Sequence, residues 1–261
     1  MLKKLALGLV CVALSVNGLM AATPGSDNAN DPAYDGGFVD NSDGGTPNTF
    51  SAWTIAINPP GGNAGSFIGD STSLAAGNSG GNINVGGESF GLFAHSGQNV
   101  DASRSFDSPL TDGQVFTIQL AVNFRNGNKG FDLRDATSAT IFNLNIGGDA
   151  YTVTAATGGG ALFGGTYDSN TVFSISITQT DGTGGTWTVT RSGGLTDSAS
   201  GTYTGVGAGI HLYNSMTTGS GAAEDNLFFN NLAVVPEPSS LSLLVGPAIL
   251  GAWFFIRRRR T

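Results

Sequence analysis

The sequence predicts an all-β protein, built as a sandwich of two antiparallel sheets. Of its 261 residues, 41 are glycine and 11% are charged, whereas an ordinary globular domain has about 25% charged residues. This composition excludes a solvated helical bundle, because surface helices need charged outer faces. The 39% of hydrophobic residues, with 16 Phe among them, also exceeds the apolar content of disordered chains.

Alternation of apolar and polar residues predicts the strands. In the segment 116–124, apolar residues at every second position alternate with Thr117, Gln119, Ala121 and Asn123. This period of two is typical of a half-buried strand. Similar runs occur at Trp53–Ile57, Thr140–Ile146, Tyr151–Ala155, Val172–Thr178, Thr186–Thr190, Gly209–Tyr213 and Leu227–Val235.

Turn signals rich in Gly, Asn and Asp separate these runs, and no sustained helical period lies between them. Short strands without intervening helices predict antiparallel pairing. About 200 residues with ten or more strands suit a jelly roll better than an immunoglobulin module. We therefore expect a β-sandwich ectodomain over residues 50–235. Residues 23–49, rich in Asp, Asn, Gly and Pro, are expected to form a flexible lead-in.

Residues 1–22 are typical of a secretory signal peptide. Two lysines precede the apolar run Leu5–Val16, and two alanines at the end of the segment form a cleavage site. Sec export machinery and signal peptidase are the partners that such a segment implies. A retained N-terminal anchor is the alternative, but the run is short for a bilayer. Cys11 is the single cysteine, so a cleaved chain contains no thiol for a disulfide or a nucleophile.

Residues 239–256 predict a short transmembrane helix. The apolar-rich run Leu241–Ile256 would extend about 24 Å at ~1.5 Å per residue, slightly less than a ~30 Å hydrocarbon core. Flanking serines and snorkelling arginines can complete the span. By the positive-inside rule, the basic cluster belongs in the cytoplasm and the chain before it outside. That cluster consists of Arg257, Arg258, Arg259 and Arg260.

The order of motifs over residues 236–261 is a second, more specific signal. Pro236, Glu237 and Pro238, then the apolar segment, then the terminal arginines resemble the PEP-CTERM sorting signal of Gram-negative bacteria. The resemblance implies that an exosortase, a membrane-embedded enzyme with a cysteine nucleophile, cuts near the Pro-Glu-Pro and passes the protein to the cell surface. These three residues would be a processing motif and not catalytic. A plain tail anchor explains the span but not the order of motifs.

Three strings in the middle region carry a broader resemblance. They are similar to the concanavalin A-like jelly rolls that often precede PEP-CTERM tails. The resemblance implies the fold and says almost nothing about activity. The strings are Lys129–Asp135, Gly184–Gly193 and Asn226–Leu232.

Charge is distributed unevenly along the chain. The whole sequence has a formal net charge of -8, but residues 23–235 hold five basic residues against eighteen acids, a net -13. Phosphate backbones require a basic surface. The composition therefore excludes a nucleic-acid partner.

The chemical inventory indicates a non-catalytic protein. His95 and His211 are the two histidines, and we expect ordinary loop or strand residues rather than a two-histidine metal site. Nothing in the sequence indicates an ordered Ser/His/Asp triad. Asp132 and Asp135 are three residues apart and so point to opposite faces of a strand, unlike the paired carboxylates of a glycosidase. The sequence predicts no catalytic residue. A secreted glycosidase or lyase of jelly-roll fold is the alternative.

Two kinds of ligand remain open. Clusters of Asp, Asn and Gly could bind Ca²⁺ through hard oxygen ligands, supplied by Asp40, Asp43, Asn126 and Asn128. Neither cluster completes the spacing of an EF-hand loop. The alternative is that both clusters are simply turns. Calcium is the one cofactor that the sequence suggests. Aromatic side chains could stack on sugar rings or fill the core: Tyr34, Trp53, Tyr151, Tyr167, Trp187, Tyr203 and Tyr213.

Together these signals predict an exported cell-surface or extracellular-matrix protein that is sorted by an exosortase. We expect its ectodomain to bind polysaccharide or to serve as a structural component of the envelope or biofilm.

Overall fold

A computed structural model describes residues 25–73, 80–122, 124–215 and 225–236. The predicted signal peptide, transmembrane segment and arginine cluster lie outside these ranges, as do Glu237 and Pro238. Among the described residues, short 3₁₀ turns include Pro32–Tyr34 and Phe163–Gly165. The strands are β1 (Gly25–Asp27), β2 (Thr54–Asn58), β3 (Ala64–Gly69), β4 (Ser89–Ala94), β5 (Asn99–Ser105), β6 (Gln114–Val122), β7 (Asn128–Arg134), β8 (Thr140–Asn145), β9 (Tyr151–Thr154), β10 (Gly160–Leu162), β11 (Val172–Asp181), β12 (Gly184–Ser192), β13 (Asp197–Thr204), β14 (Gly209–Ser215) and β15 (Asn226–Pro236).

The strands form two antiparallel sheets. The eight-stranded sheet has the order β13-β12-β11-β6-β15-β4-β3, and β1 pairs with β15 outside this path. The seven-stranded sheet has the order β10-β9-β8-β7-β14-β5-β2. The predicted all-β, antiparallel architecture is confirmed.

Aromatic side chains from both sheets form one core between them. The ring of Phe116 in the eight-stranded sheet lies 5.9 Å from Phe131 in the seven-stranded sheet, and Trp187 lies 5.4 Å from Phe142. Alternation in β6 follows the prediction, because its apolar side chains are buried at every second position. The strand ends at Val122. Phe124, predicted inside it, is 47% exposed.

Several strands were not predicted, and two of them, β5 and β13, were missed because they have few large apolar residues. In β5 the inward positions are Val100, Ala102 and Arg104, so a cation occupies a core position. In β13, an edge strand, Tyr203 is the one buried residue. Tertiary packing, rather than local hydrophobicity, defines both strands.

The expected flexible lead-in differs most from the structure. Residues 25–49 are packed against the sandwich: β1 pairs with β15, and Tyr34 and Phe38 join the core, at most 3% exposed. Asp27 forms an ion pair with Arg104, and both side chains are fully buried. The Asp, Asn and Gly residues build hydrogen-bonded turns between these anchors. The packed domain therefore includes residues 25–49.

Across the part of the chain that the structure describes, no helix is long and apolar enough to cross a membrane.

Candidate functional site

The outer face of the seven-stranded sheet, called here the polar face, carries polar side chains in register across neighbouring strands. His211 of β14 lies opposite Ser103 of β5 and Asp132 of β7, and Asn143 of β8 lies opposite Asp132. Alternate residues of these strands point into the core. The adjacent rank consists of Asp101, Tyr213, Gly130 and Asn145.

His211 lies between two carboxylates. Its Nε2 is 2.8 Å from Oδ1 of Asp101, and its Nδ1 is 2.8 Å from Oδ2 of Asp132. Asn143 Nδ2 donates to the other oxygen of Asp132 at 2.8 Å. Burial lowers the pKa of His211, but the hydrogen bonds to Asp101 and Asp132 outweigh it, so the net pKa is raised. The surroundings therefore favour the imidazolium form.

Arg134 competes for the same ring nitrogen. Its Nη2 lies 2.7 Å from Nδ1 of His211 and 3.6 Å from Oδ2 of Asp132. One nitrogen cannot accept from Arg134 and donate to Asp132 at the same time. A protonated Nδ1 donates to Asp132, whereas a deprotonated Nδ1 accepts from Arg134. The proton on Nδ1 thus selects its partner.

Tyr213 completes the cluster. Its hydroxyl accepts from Asn143 Nδ2 at 2.8 Å, which leaves its own proton available to an external acceptor. Burial raises the pKa of Tyr213 to about 12, so the hydroxyl stays protonated at neutral pH. Gly130 makes room for the ring, because a Cβ there would lie 2.5 Å from the Tyr213 hydroxyl and 2.1 Å from the carbonyl oxygen of Leu144.

A cavity of about 340 Å³ opens beside Arg134. Arg134 Nε is shielded from solvent and has no hydrogen-bond acceptor among the described residues. Hydroxyl side chains and a glycine surround it. The cavity lining includes Thr54, Ser103, Arg134, Asp135, Ser138 and Gly209.

The structure does not bring the calcium candidates together as a site. An oxygen of Asp43 accepts from a buried guanidinium, and the Asn126 oxygen accepts from the buried ammonium of Lys129. Asp40 and Asn128 oxygens accept from other protein donors. Within the described ranges, no group of three or more His, Cys, Asp or Glu could hold a metal ion. Calcium binding remains a prediction.

The other predicted residues lie in different places: some belong to the polar face or the cavity, and others belong to the core or to a loop. His95 contacts Ser96 and Phe93, whereas His211 joins the cluster. Asp132 lies on the polar face, and Asp135 lies in the turn after β7, at the cavity. Tyr213 and Tyr167 are half-buried, and the other aromatic candidates belong to the core: Tyr34, Trp53, Tyr151, Trp187 and Tyr203.

Sequence reasoning missed Asp101, Arg134 and Asn143. A local signal existed for part of the cluster. Asp132 and Arg134 are two residues apart on β7, and His211 and Tyr213 are two apart on β14, so each pair shares a face. The pairing of β14 with β5 and β7, which brings the remaining residues to the cluster, cannot be predicted from the local sequence pattern.

His211 predicts a pH dependence of stability. Because its pKa is raised in the folded state, its stabilising contribution is fully present below the unfolded value of about 6.5 and is lost as pH rises through the folded value. We expect the free energy of unfolding to fall above pH ~6.5, by about 1.4 kcal/mol per unit of pKa shift.

Urea titrations from pH 5 to 9 measure this fall. It should disappear in His211→Gln and persist in the matched control His95→Gln. A wild-type stability that stays constant or increases over this range contradicts the prediction.

Comparisons with known proteins give fold-level likeness alone. A scan against family models finds no match, and a search of curated proteins finds no similar chain. Among solved structures, the chain is similar to the alginate lyase AlgAT5 from Polysaccharide Lyase family 7 (15% identity, 62% of this chain and 84% of that chain, TM-score 0.37). It is also similar to the marine PL-14 alginate lyase from Aplysia kurodai (11% identity, 59% of this chain and 85% of that chain, TM-score 0.35). A third similar structure is the exoplasmic/lumenal domain of VIP36 bound to Ca²⁺ and Man3GlcNAc (10% identity, 71% of this chain and 91% of that chain, TM-score 0.38). Likenesses this low assign no family and no activity to the chain.

Proposed function

We propose that this chain is an exported, exosortase-sorted protein of the cell surface or extracellular matrix, whose jelly-roll ectodomain binds polysaccharide without cleaving it. The observation that carries the binding role is the polar face with its adjoining cavity. His211, Asp132, Asn143 and Tyr213 hold one another in fixed positions, and fixed donors and acceptors beside a concave site suit the hydroxyl groups of a sugar.

The non-catalytic role rests on how His211 is bonded. A general base needs a free lone pair within reach of the proton that it abstracts. Both ring nitrogens of His211 are instead engaged by carboxylates. This bonding supports a cluster that holds a ligand rather than one that removes its protons.

Glycan-array screening followed by calorimetry tests the binding role. For the best neutral glycan, Asn143→Ala and Tyr213→Phe should each weaken binding about tenfold, since a lost buried hydrogen bond costs ~1–3 kcal/mol. Thr188→Ala, on the outer face of the eight-stranded sheet, is the matched control and should bind normally. The proposal would be refuted if the protein binds none of the matrix polysaccharides, or if both site variants bind as tightly as the wild type.

A polysaccharide lyase or glycosidase is the second candidate. It is favoured by the Tyr213 hydroxyl, whose proton is available, beside a histidine and an arginine near a cavity. The same glycans, incubated with the protein, provide the test. Release of new reducing ends or unsaturated products, abolished in Tyr213→Phe, would replace the binding role with an enzymatic one.

The sorting role has its own test. Strand β15 ends at Pro236, which pairs with Gln114 of β6, so the proposed processing motif begins where the sheet ends. Mass spectrometry of surface-displayed protein should find a C-terminus near Pro236. Recovery of residues 257–261 on most surface molecules would contradict exosortase processing.

A further inference from the structure

We propose that the cavity beside Arg134 binds the carboxylate of an acidic sugar residue, and that this binding takes up one proton at Nδ1 of His211. The inference rests on the proposed polysaccharide-binding function and specifies its ligand. Three observations carry it: an arginine with an unused donor, a ring nitrogen with two competing partners, and the local balance of charge.

Arg134 supplies the unused donor. Two arginines are among the residues that line the cavity. Arg104 is fully engaged, since its three nitrogens contact the Ser51 carbonyl oxygen, Asp27 and Asp43. Arg134 Nε has no acceptor in the described part of the chain, and a buried charged donor without an acceptor is costly. The Arg134 side chain is 28% exposed, so a turn of its guanidinium toward the cavity would offer Nε to an external acceptor and remove this cost.

The competition at His211 favours an anionic acceptor. Nδ1 cannot satisfy Arg134 and Asp132 together. A carboxylate can take two parallel hydrogen bonds from one guanidinium, which would draw Arg134 away from the ring. Nδ1 would then carry a proton and donate it to Asp132 without interference. A neutral hydroxyl offers Arg134 much weaker competition.

Charge counting gives the direction of the proton linkage. The groups facing His211 are Asp101 from β5, Asp132 and Arg134 from β7, and Tyr213 from β14. With His211 protonated, two cations balance two carboxylates. With His211 neutral, one negative charge is left over and repels the ligand.

The upward direction of the His211 pKa agrees with this scheme, and a bound carboxylate would raise it further. Ligand binding and proton binding must therefore strengthen each other.

The rest of the cavity fits a sugar ring. Thr54, Ser103 and Ser138 contribute hydroxyl groups, and Gly209 leaves space where a side chain would stand. Asp135 also lines the cavity, and its carboxylate, which accepts from Thr137 and the Ala139 amide, adds a negative charge that the Arg134 guanidinium must outweigh. At about 0.15 M salt the Debye length is ~8 Å, so the remaining acidic surface is largely screened.

Calorimetry on the mature protein tests the inference with a matched pair of probes, a glucuronate-containing oligosaccharide and its carboxyl-reduced neutral counterpart. Between pH 6 and 9 the Kd of the acidic probe should rise by up to tenfold per pH unit above the His211 pKa, the limit for one linked proton. Buffers of different ionisation enthalpy should report uptake of about one proton. The neutral probe should show little pH dependence.

Two variants separate the roles of the residues. Arg134→Gln should weaken the acidic probe at least tenfold and leave the neutral probe within twofold. His211→Gln should bind the acidic probe with its pH dependence removed. Circular dichroism confirms that each variant is folded.

The outcomes distinguish this inference from the proposed function. Neutral glycans that bind while the acidic probe does not, or acidic binding that is independent of pH and of Arg134, would overturn the inference and leave the proposed function intact. Absence of binding by either probe and by all other glycans would overturn both.

Discussion

Replacing Asp27 with alanine should lower the free energy of unfolding by about 3–5 kcal/mol, because it leaves the buried guanidinium of Arg104 without its carboxylate. Both side chains of this pair are fully buried. The Tyr34 hydroxyl donates to the same carboxylate at 2.6 Å. Chemical denaturation followed by tryptophan fluorescence measures the loss.

Asp43→Ala is the matched control for Asp27→Ala. Asp43 contacts the same guanidinium at 3.2 Å, but its carboxylate is exposed, and exposed ion pairs contribute ~0–1 kcal/mol. Equal effects of the two substitutions would show that burial does not distinguish the two contacts. If Asp27→Ala lowers the free energy of unfolding by less than 1 kcal/mol, the N-terminal segment would be a flexible lead-in, as the sequence predicts.

Trp187→Ala should cost a similar ~3–5 kcal/mol, through the cavity that it leaves in the other half of the sandwich. The indole is fully buried, and its Nε1 donates to the Thr157 carbonyl oxygen at 3.2 Å. Thr188→Ala is the control, since the next residue of β12 points to the opposite face, and it should change stability by less than about 0.5 kcal/mol. Similar losses at both positions would contradict the assignment of faces in β12.

Local pattern predicts strands well where one face is apolar. Strands β6, β8, β11 and β12 were predicted for this reason, with ends displaced by up to three residues. Pattern failed in β5, where Arg104 holds a core position. It also failed at residues 25–49, because turn-forming composition looks the same in a loose segment and in one fixed by Tyr34 and Phe38.

The candidate site was less predictable than the fold. Asp132 and His211 are 79 residues apart, and Asp101 and His211 are 110 apart. Strand register brings them together, and register depends on the whole sheet. Sequence spacing predicted Asp132 and Asp135 on opposite faces of one strand, whereas β7 ends at Arg134 and Asp135 lies in the turn after it. Spacing also could not show that a histidine and a second aspartate complete the cluster.

Strand β15 has a consequence for the timing of folding. It is the last strand of the described residues, yet it lies inside the eight-stranded sheet, between β6 and β4, and β1 pairs with it as well. The edges of β4 and β6 that pair with β15 therefore stay open until the chain is complete through Pro236. Strand β1 also cannot pair before β15 is present. Such distant pairings close large loops and fold slowly. During synthesis the eight-stranded sheet can therefore close only late, after β15 has been made.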